Sequence, residues 1–113
     1  MEITTLEALR AALEKTGSGV AAIFKHSTRC PISAAAYREV TAYLEKAGPD
    51  APPFYLVKVI ESRPVSNEAA ARLGVAHQSP QVILLSGGQP YWNASHGGIT
   101  AAAISGAVDK LRH

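Results

Sequence analysis

Val20-Ala21-Ala22-Ile23-Phe24-Lys25-His26-Ser27-Thr28-Arg29-Cys30-Pro31-Ile32-Ser33 passes from an apolar run through five polar residues to a cysteine and a proline. The run Val20 to Phe24 lies between Ser18-Gly19 and Lys25-His26-Ser27 and reads as a short strand buried on both faces. Pro31 opens a helix, because at the first helical position its missing N–H would have had no partner in the helix anyway. Ile32, Ala36, Val40 and Leu44, with Tyr43 beside them, form an apolar stripe; Arg38, Glu39, Glu45 and Lys46 lie elsewhere, and Gly48-Pro49 stops the helix. Cys30 therefore stands at the junction of strand and helix, at the N-cap, where the Ile32 and Ser33 N–H groups have no helical partners.

That position predicts a reactive thiol. First-turn donors and the positive end of the helix dipole stabilise a thiolate there, and the Ser33 hydroxyl is expected to add a third donor. A cysteine with a pKa near 8.5 is a few per cent thiolate at pH 7, and one lowered to about 6 is about 90% thiolate. A structural cysteine is embedded among apolar neighbours. This one follows a polar loop with two fixed cations, Lys25 and Arg29, and one titratable ring, His26.

Outward from this segment, Thr4 and Glu7 form a capping-box pattern ahead of Leu6, Leu9 and Leu13, so a first helix is predicted over about residues 5–16, with Gly17 after its end. Phe54 to Val59 reads as a second strand after a proline-rich loop, and the spacing of about thirty residues between the two strands fits a right-handed βαβ crossover with parallel strands. Ser66 is the predicted cap of a short third helix carrying Ala69, Ala70 and Leu73 and ending at Gly74. Val82 to Leu85 and Pro90 to Ser95, joined by Ser86-Gly87-Gly88-Gln89, read as an antiparallel hairpin whose second strand is an edge. On that edge Tyr91 and Trp92 alternate, one toward the core and one outward. Gly97-Gly98 precedes a last helix buried through Ala101, Ile104, Ala107, Val108 and Leu111. The order α-βαβ-α-ββ-α predicts an α/β fold, one four-stranded mixed sheet with helices on both faces.

The 113 residues suffice for one domain, 1–113, and 47% hydrophobic against 18% charged residues suffices for one core. Eleven Lys and Arg against nine Asp and Glu give a net charge of +2 without a patch, which argues against nucleic acid as a partner. The longest apolar runs fall far short of a membrane span of about 20 residues. No basic segment leads into an apolar one at the start, so the expected location is the cytoplasm. A single cysteine excludes an internal disulfide, and the four His residues lack ligand spacing, so no metal site is expected.

Cys30-Pro31-Ile32-Ser33, following Ala22-Ile23-Phe24-Lys25-His26-Ser27-Thr28, resembles the motif of the monothiol bacilliredoxins, thioredoxin-like proteins that serve the low-molecular-weight thiol bacillithiol. The resemblance extends to the leading helix, to His77-Gln78-Ser79-Pro80-Gln81 and to the Gly97-Gly98 pair. It implies a thioredoxin-like fold in which Cys30 lies across from a cis Ser79-Pro80 bond, with the Ser79 main chain recognising the bound thiol. It also implies the reaction, removal of bacillithiol from mixed disulfides with client proteins. Cys30 is the nucleophile, and Ser33 stands where a dithiol enzyme has its second sulfur, so resolution comes from a second bacillithiol.

Bacillithiol joins cysteine, glucosamine and malate and carries two carboxylates, so its site should offer cations and free backbone donors. Lys25, Thr28, Arg29 and Pro31 flank the nucleophile and are the expected contacts. Gly97-Gly98-Ile99-Thr100 would bring a second helix N-terminus, by analogy with the glycine pair that glutaredoxins set against their thiol. His26, Gln78 and Thr100 complete the candidate set. The expected protein is a monomer whose partners are bacillithiol and bacillithiolated clients. Two other readings stay open: a thioredoxin-like adaptor with an idle cysteine, and a glutaredoxin-like carrier sharing an iron–sulfur cluster between chains. The second departs from its group's Cys-Gly-Phe-Ser at Pro31-Ile32.

Overall fold

The alternation of side chains along Val20–His26 divides the molecule into two apolar layers. Ala22 and Phe24 project into a core with Ala36, Val40, Tyr43, Ile104 and Val108, and Ile23 projects into a second core with Ile3, Leu9, Val65, Ala69 and Leu73. The computed structural model describes residues 2–15 and 19–112. In it β1 (Val20–His26) runs parallel to β2 (Phe54–Lys58) and antiparallel to β3 (Gln81–Ser86), which in turn pairs antiparallel with β4 (Gln89–Ser95). The order β2-β1-β3-β4 puts β1 and β3 in the centre, and their residues from Ala21 to Phe24 and from Gln81 to Leu85 are buried. Helices α1 (Leu6–Lys15) and α3 (Arg63–Leu73) cover one face, and α2 (Pro31–Ala47) and α4 (Ala101–Arg112) the other. Each large aliphatic side chain enclosed this way contributes about 2 kcal/mol.

Several boundaries differ from the sequence reading. The cap of α1 is Thr5, whose Oγ1 accepts the Ala8 N–H at 3.1 Å, so the Thr4–Glu7 box is not formed. The expected helix end at Gly17 lies outside the described residues. Helix α3 starts at Arg63 with Ser62 at its N-cap, four residues ahead of the expected cap Ser66; Pro64 in the first turn is the start signal, and Ser66 is buried inside the helix. Gly74 ends it in the left-handed region at φ 65°. In α2 the buried stripe is Ser33, Ala36, Val40 and Tyr43, and Ile32 is 53% exposed. A polar side chain, hydrogen-bonded, takes the inward place that Ile32 was expected to fill. Gly87 and Gly88, at φ 59° and 78°, supply the two positive-φ residues of a tight hairpin between β3 and β4. On β4, Trp92 packs against the α2–α4 core and Tyr91 is exposed.

β1 continues two residues past Phe24, because Lys25 and His26 pair with Val57 and Lys58 on one side and Lys25 with Gln81 on the other. That registry brings four connections to one end of the sheet: residues 27–30 after β1, 59–62 after β2, 76–80 before β3 and 96–100 after β4. Two backbone bonds tie them together, Val59 N–H to His26 O at 3.0 Å and His96 N–H to Pro80 O at 3.1 Å.

Candidate active site

Cys30 is the N-cap of α2, extended at φ −111° and ψ 123°, and is partly exposed. Its carbonyl accepts the first helical bond from Ala34 N–H at 3.0 Å, and its own N–H donates to Ser27 O at 3.4 Å. Its side chain makes no capping hydrogen bond. The expected contact between sulfur and the first-turn amides is therefore not formed, sulfur being a weak acceptor. Pro31 beside it is exposed, as are Thr28 and Arg29; Thr28 Oγ1 reaches Glu61 Oε2 at 3.5 Å.

The Ser33 hydroxyl does not serve as the expected thiolate donor. Ser33 is fully buried; its oxygen accepts the Ser27 N–H at 2.9 Å and lies 2.7 Å from His26 Nδ1. Burial, and secondarily the charge of Lys58, push the His26 pKa below its ordinary 6.5, so the ring is neutral at pH 7. The short contact puts one proton between Ser33 Oγ and Nδ1 and holds the ring against α2. The chain Ser27 N–H to Ser33 O–H to His26 thus fixes the loop before Cys30.

Lys25 also departs from expectation. It shares a sheet face with Ile23, opposite to His26 and α2, and is wholly buried. A cation there cannot flank the thiol. Its ammonium donates to His77 Nδ1 at 3.2 Å, a nitrogen shared with Ser66 Oγ at 3.3 Å. Burial lowers the Lys25 pKa to about 8. Burial, then the charges of Lys25 and Arg63, lower that of His77. Beside this cluster the buried Gln81 clasps the 76–78 turn, its Nε2 donating to Ala76 O at 3.1 Å and its Oε1 accepting the Gln78 N–H at 3.4 Å. The turn leads to Ser79–Pro80, whose peptide bond is cis. Ser79 Oγ is buried and bonds to no group of the described residues.

The helix end after the glycine pair is occupied by the chain itself. Glu39 Oε1 accepts the Ala101 N–H at 2.9 Å, and Thr100 Oγ1 accepts the Ala103 N–H at 3.0 Å. The expected anion site at Gly97 to Thr100 therefore already holds a carboxylate from α2, and Thr100 acts as a helix cap. Neither glycine is required by backbone or by space: a Cβ at Gly97 meets nothing within 4 Å and one at Gly98 meets Ala94 Cβ at 3.8 Å.

Sequence reading missed a cleft of about 290 Å³ beside the first turns of α2, lined by His26, Thr28, Ala34, Tyr37 and Arg38. The helical spacing of Cys30, Ala34 and Arg38 is the signal that would have found it. Tyr37 is held by rings, with its centroid 5.0 Å from His26 and 6.2 Å from Phe24. A larger cavity of about 820 Å³ between α2 and α4, lined by Tyr43, Lys46, Ala101 and Arg112 among others, begins at Tyr43. That is about 20 Å along the helix from Cys30.

The family model of the monothiol bacilliredoxin BrxC matches residues 1–104. Among solved structures, the chain is similar to a protein assigned as an oxidoreductase with a thioredoxin fold, at TM-score 0.83 and 29% identity over 95% of this chain and 91% of that one. It shares its fold with the thioredoxin of Fasciola hepatica, at TM-score 0.74 and 15% identity over 97% of each chain. The same holds for the reduced thioredoxin pre-protein of Schistosoma mansoni, at TM-score 0.74 and 16% identity over 97% of this chain and 95% of that one.

Proposed function

The chain belongs to the monothiol bacilliredoxin family of thioredoxin-fold thiol oxidoreductases, and from that premise we propose that it removes bacillithiol from client proteins through Cys30. The Cys30 thiolate attacks the bacillithiol sulfur of a client–bacillithiol disulfide. That S–S bond breaks, the client leaves as thiolate, and a new S–S bond joins Cys30 to bacillithiol. A second bacillithiol, as thiolate, attacks the bacillithiol sulfur on Cys30, which releases bacillithiol disulfide and restores the Cys30 thiolate. The exchange balances: in each step one S–S bond breaks and one forms, and overall one bacillithiol thiol is consumed, ending in a disulfide with the bacillithiol taken from the client.

One observation carries the reading: the sole cysteine of the chain is partly exposed at the N-cap of α2, with Ser33 locked to His26 and no second thiol to resolve it. In this reading Ser79 and Pro80, just ahead of β3, form the surface for the mixed disulfide, and Gln78, Thr28, Arg29, Pro31, Gly97 and Gly98 are its further contacts. The domain acts alone, as one unit over residues 1–113, and meets its clients in the cytoplasm. A client carrying bacillithiol, followed by intact mass, tests this. Wild type with added bacillithiol should release free client thiol, and Cys30→Ser should release none. Equal release by Cys30→Ser would overturn it.

A further inference from the structure

We infer that the cleft between β1 and α2 is the subsite for the glucosaminyl-malate end of bacillithiol, with Arg38 binding the malate carboxylates and Tyr37 and His26 binding the sugar. This deepens the function proposed above and rests on it. The cleft is close to the reacting sulfur: Thr28 is two residues before Cys30, and Ala34 donates its N–H to the Cys30 carbonyl at 3.0 Å. Arg38 lies two helical turns on, about 12 Å along the axis. A thiol built of three linked units can bridge that span, with its sulfur at Cys30 and its far end at Arg38.

Each lining group suits one part of that tail. Ser33 Oγ lies 2.7 Å from His26 Nδ1 and fixes the plane of the ring. The His26 ring lines the cleft. An imidazole there suits a sugar hydroxyl, as donor or as acceptor. Tyr37 is 47% exposed yet steadied by the His26 and Phe24 rings, which gives an amphipathic wall for the apolar face of a pyranose. Arg38 is exposed and in no ion pair among the described residues. Its planar fork matches a carboxylate. Glu61 Oε2 lies 3.5 Å from Thr28 Oγ1, and the charges of Glu61 and Lys58 act on His26 with opposite sign. A volume of about 290 Å³ holds the sugar and part of the malate, not the whole thiol. The N-terminus of α4, the alternative anion site, is taken by Glu39.

Two measurements test the subsite. The first is the ratio of kcat/KM on a bacillithiolated client to that on the same client glutathionylated. Arg38→Gln should lower this ratio by about tenfold, Tyr37→Ala by severalfold, and Arg38→Lys by less than Arg38→Gln. An unchanged ratio would overturn the assignment. The second needs no turnover: titrating Cys30→Ser with S-methyl bacillithiol should shift the amide resonances of Thr28, Ala34, Tyr37 and Arg38, and Arg38→Gln should abolish the shifts. Shifts confined to the 76–80 or 96–100 segments, or none at all, would overturn it. Shifts in the cleft with no turnover by wild type would keep the subsite and sink the reaction.

Discussion

Lys25 Nζ lies 3.2 Å from His77 Nδ1 on the face of the sheet that Cys30 does not share. A wholly buried ammonium whose partner is a neutral imidazole, with no carboxylate, is an unfavourable charge that the fold tolerates. The Lys25 pKa falls from 10.5 to about 8, so the folded state binds this proton less tightly than the unfolded state. Below pH 8 both states are protonated and the full penalty applies, about 3 kcal/mol. Between pH 8 and 10.5 the unfolded chain holds more protons, so stability rises with pH there. Lys25→Met should therefore be more stable than wild type at pH 7, by about 2 kcal/mol after the lost hydrogen bond is subtracted. The difference should shrink steadily toward pH 10.5. Denaturant unfolding of both proteins across that range checks it, and a pH-independent difference refutes it.

The two imidazoles near the site titrate in the opposite window. Burial comes first among the causes that lower both His26 and His77, so each binds its proton less tightly in the folded state than the ordinary 6.5 of the unfolded chain. Their neutral forms are what the fold stabilises, and that stabilisation is complete above pH 6.5. As pH falls below 6.5 the unfolded state takes up protons first and stability is lost. Ring-proton resonances of both residues should titrate below pH 6.5. Unfolding free energy should decline over the same range, with a smaller decline in His77→Phe. A midpoint above 6.5 for either ring would contradict the burial argument.

Ser33 matters to the fold through two bonds, and neither reaches the thiol. Ser33→Ala removes the acceptor of the buried Ser27 N–H and the partner of His26 Nδ1. Leaving those groups unsatisfied costs about 2 kcal/mol, and in a domain of this size that is a drop in Tm of about 10 °C. Because the Ser33 hydroxyl is engaged with His26 and the Ser27 N–H, the rate at which iodoacetamide alkylates Cys30 should change less than threefold, about 0.6 kcal/mol. Calorimetry and alkylation kinetics read the two effects separately. A large fall in alkylation rate with unchanged Tm would restore Ser33 as a donor to the thiolate.

Why the sequence yields the fold more readily than the site is visible in particular residues. Pro31, Gly48, Gly74 and the Gly87-Gly88 pair act through local backbone geometry, so they mark helix ends and the hairpin without reference to the rest of the chain. Strand β1, with its period of two, decides what faces what, and there the reading slipped. Ending the strand at Phe24 made Lys25 and His26 a polar loop, although pairing with β2 and β3 carries both into the sheet and on to opposite faces. Ser33 and Ser66 look like surface helix residues in sequence. They are buried because partners distant in sequence or across a loop, His26 and His77, satisfy their hydroxyls. Cys30 was legible because its helix position is local. The cleft at Tyr37 and Arg38 was not, because it forms only when β1 and α2 pack.

Glu39 and the N-terminus of α4 make the last case. The Glu39 carboxylate accepts the Ala101 N–H at 2.9 Å and so links the middle of α2 to the first turn of α4, where the helix dipole favours a negative charge. Glu39 sits on the polar side of α2, and its removal leaves no cavity. Glu39→Ala should cost about 1 kcal/mol, the loss of a charge-assisted hydrogen bond at a half-exposed site. Glu39→Gln, which keeps an oxygen acceptor, should recover more than half of that. The vacated amides would then be open to anions from solution, so sulfate should raise the Tm of Glu39→Ala more than that of wild type. An equal sulfate response in the two proteins would show that the Gly97 to Thr100 end was open to anions all along, and would return it to the candidate site for the bacillithiol carboxylates.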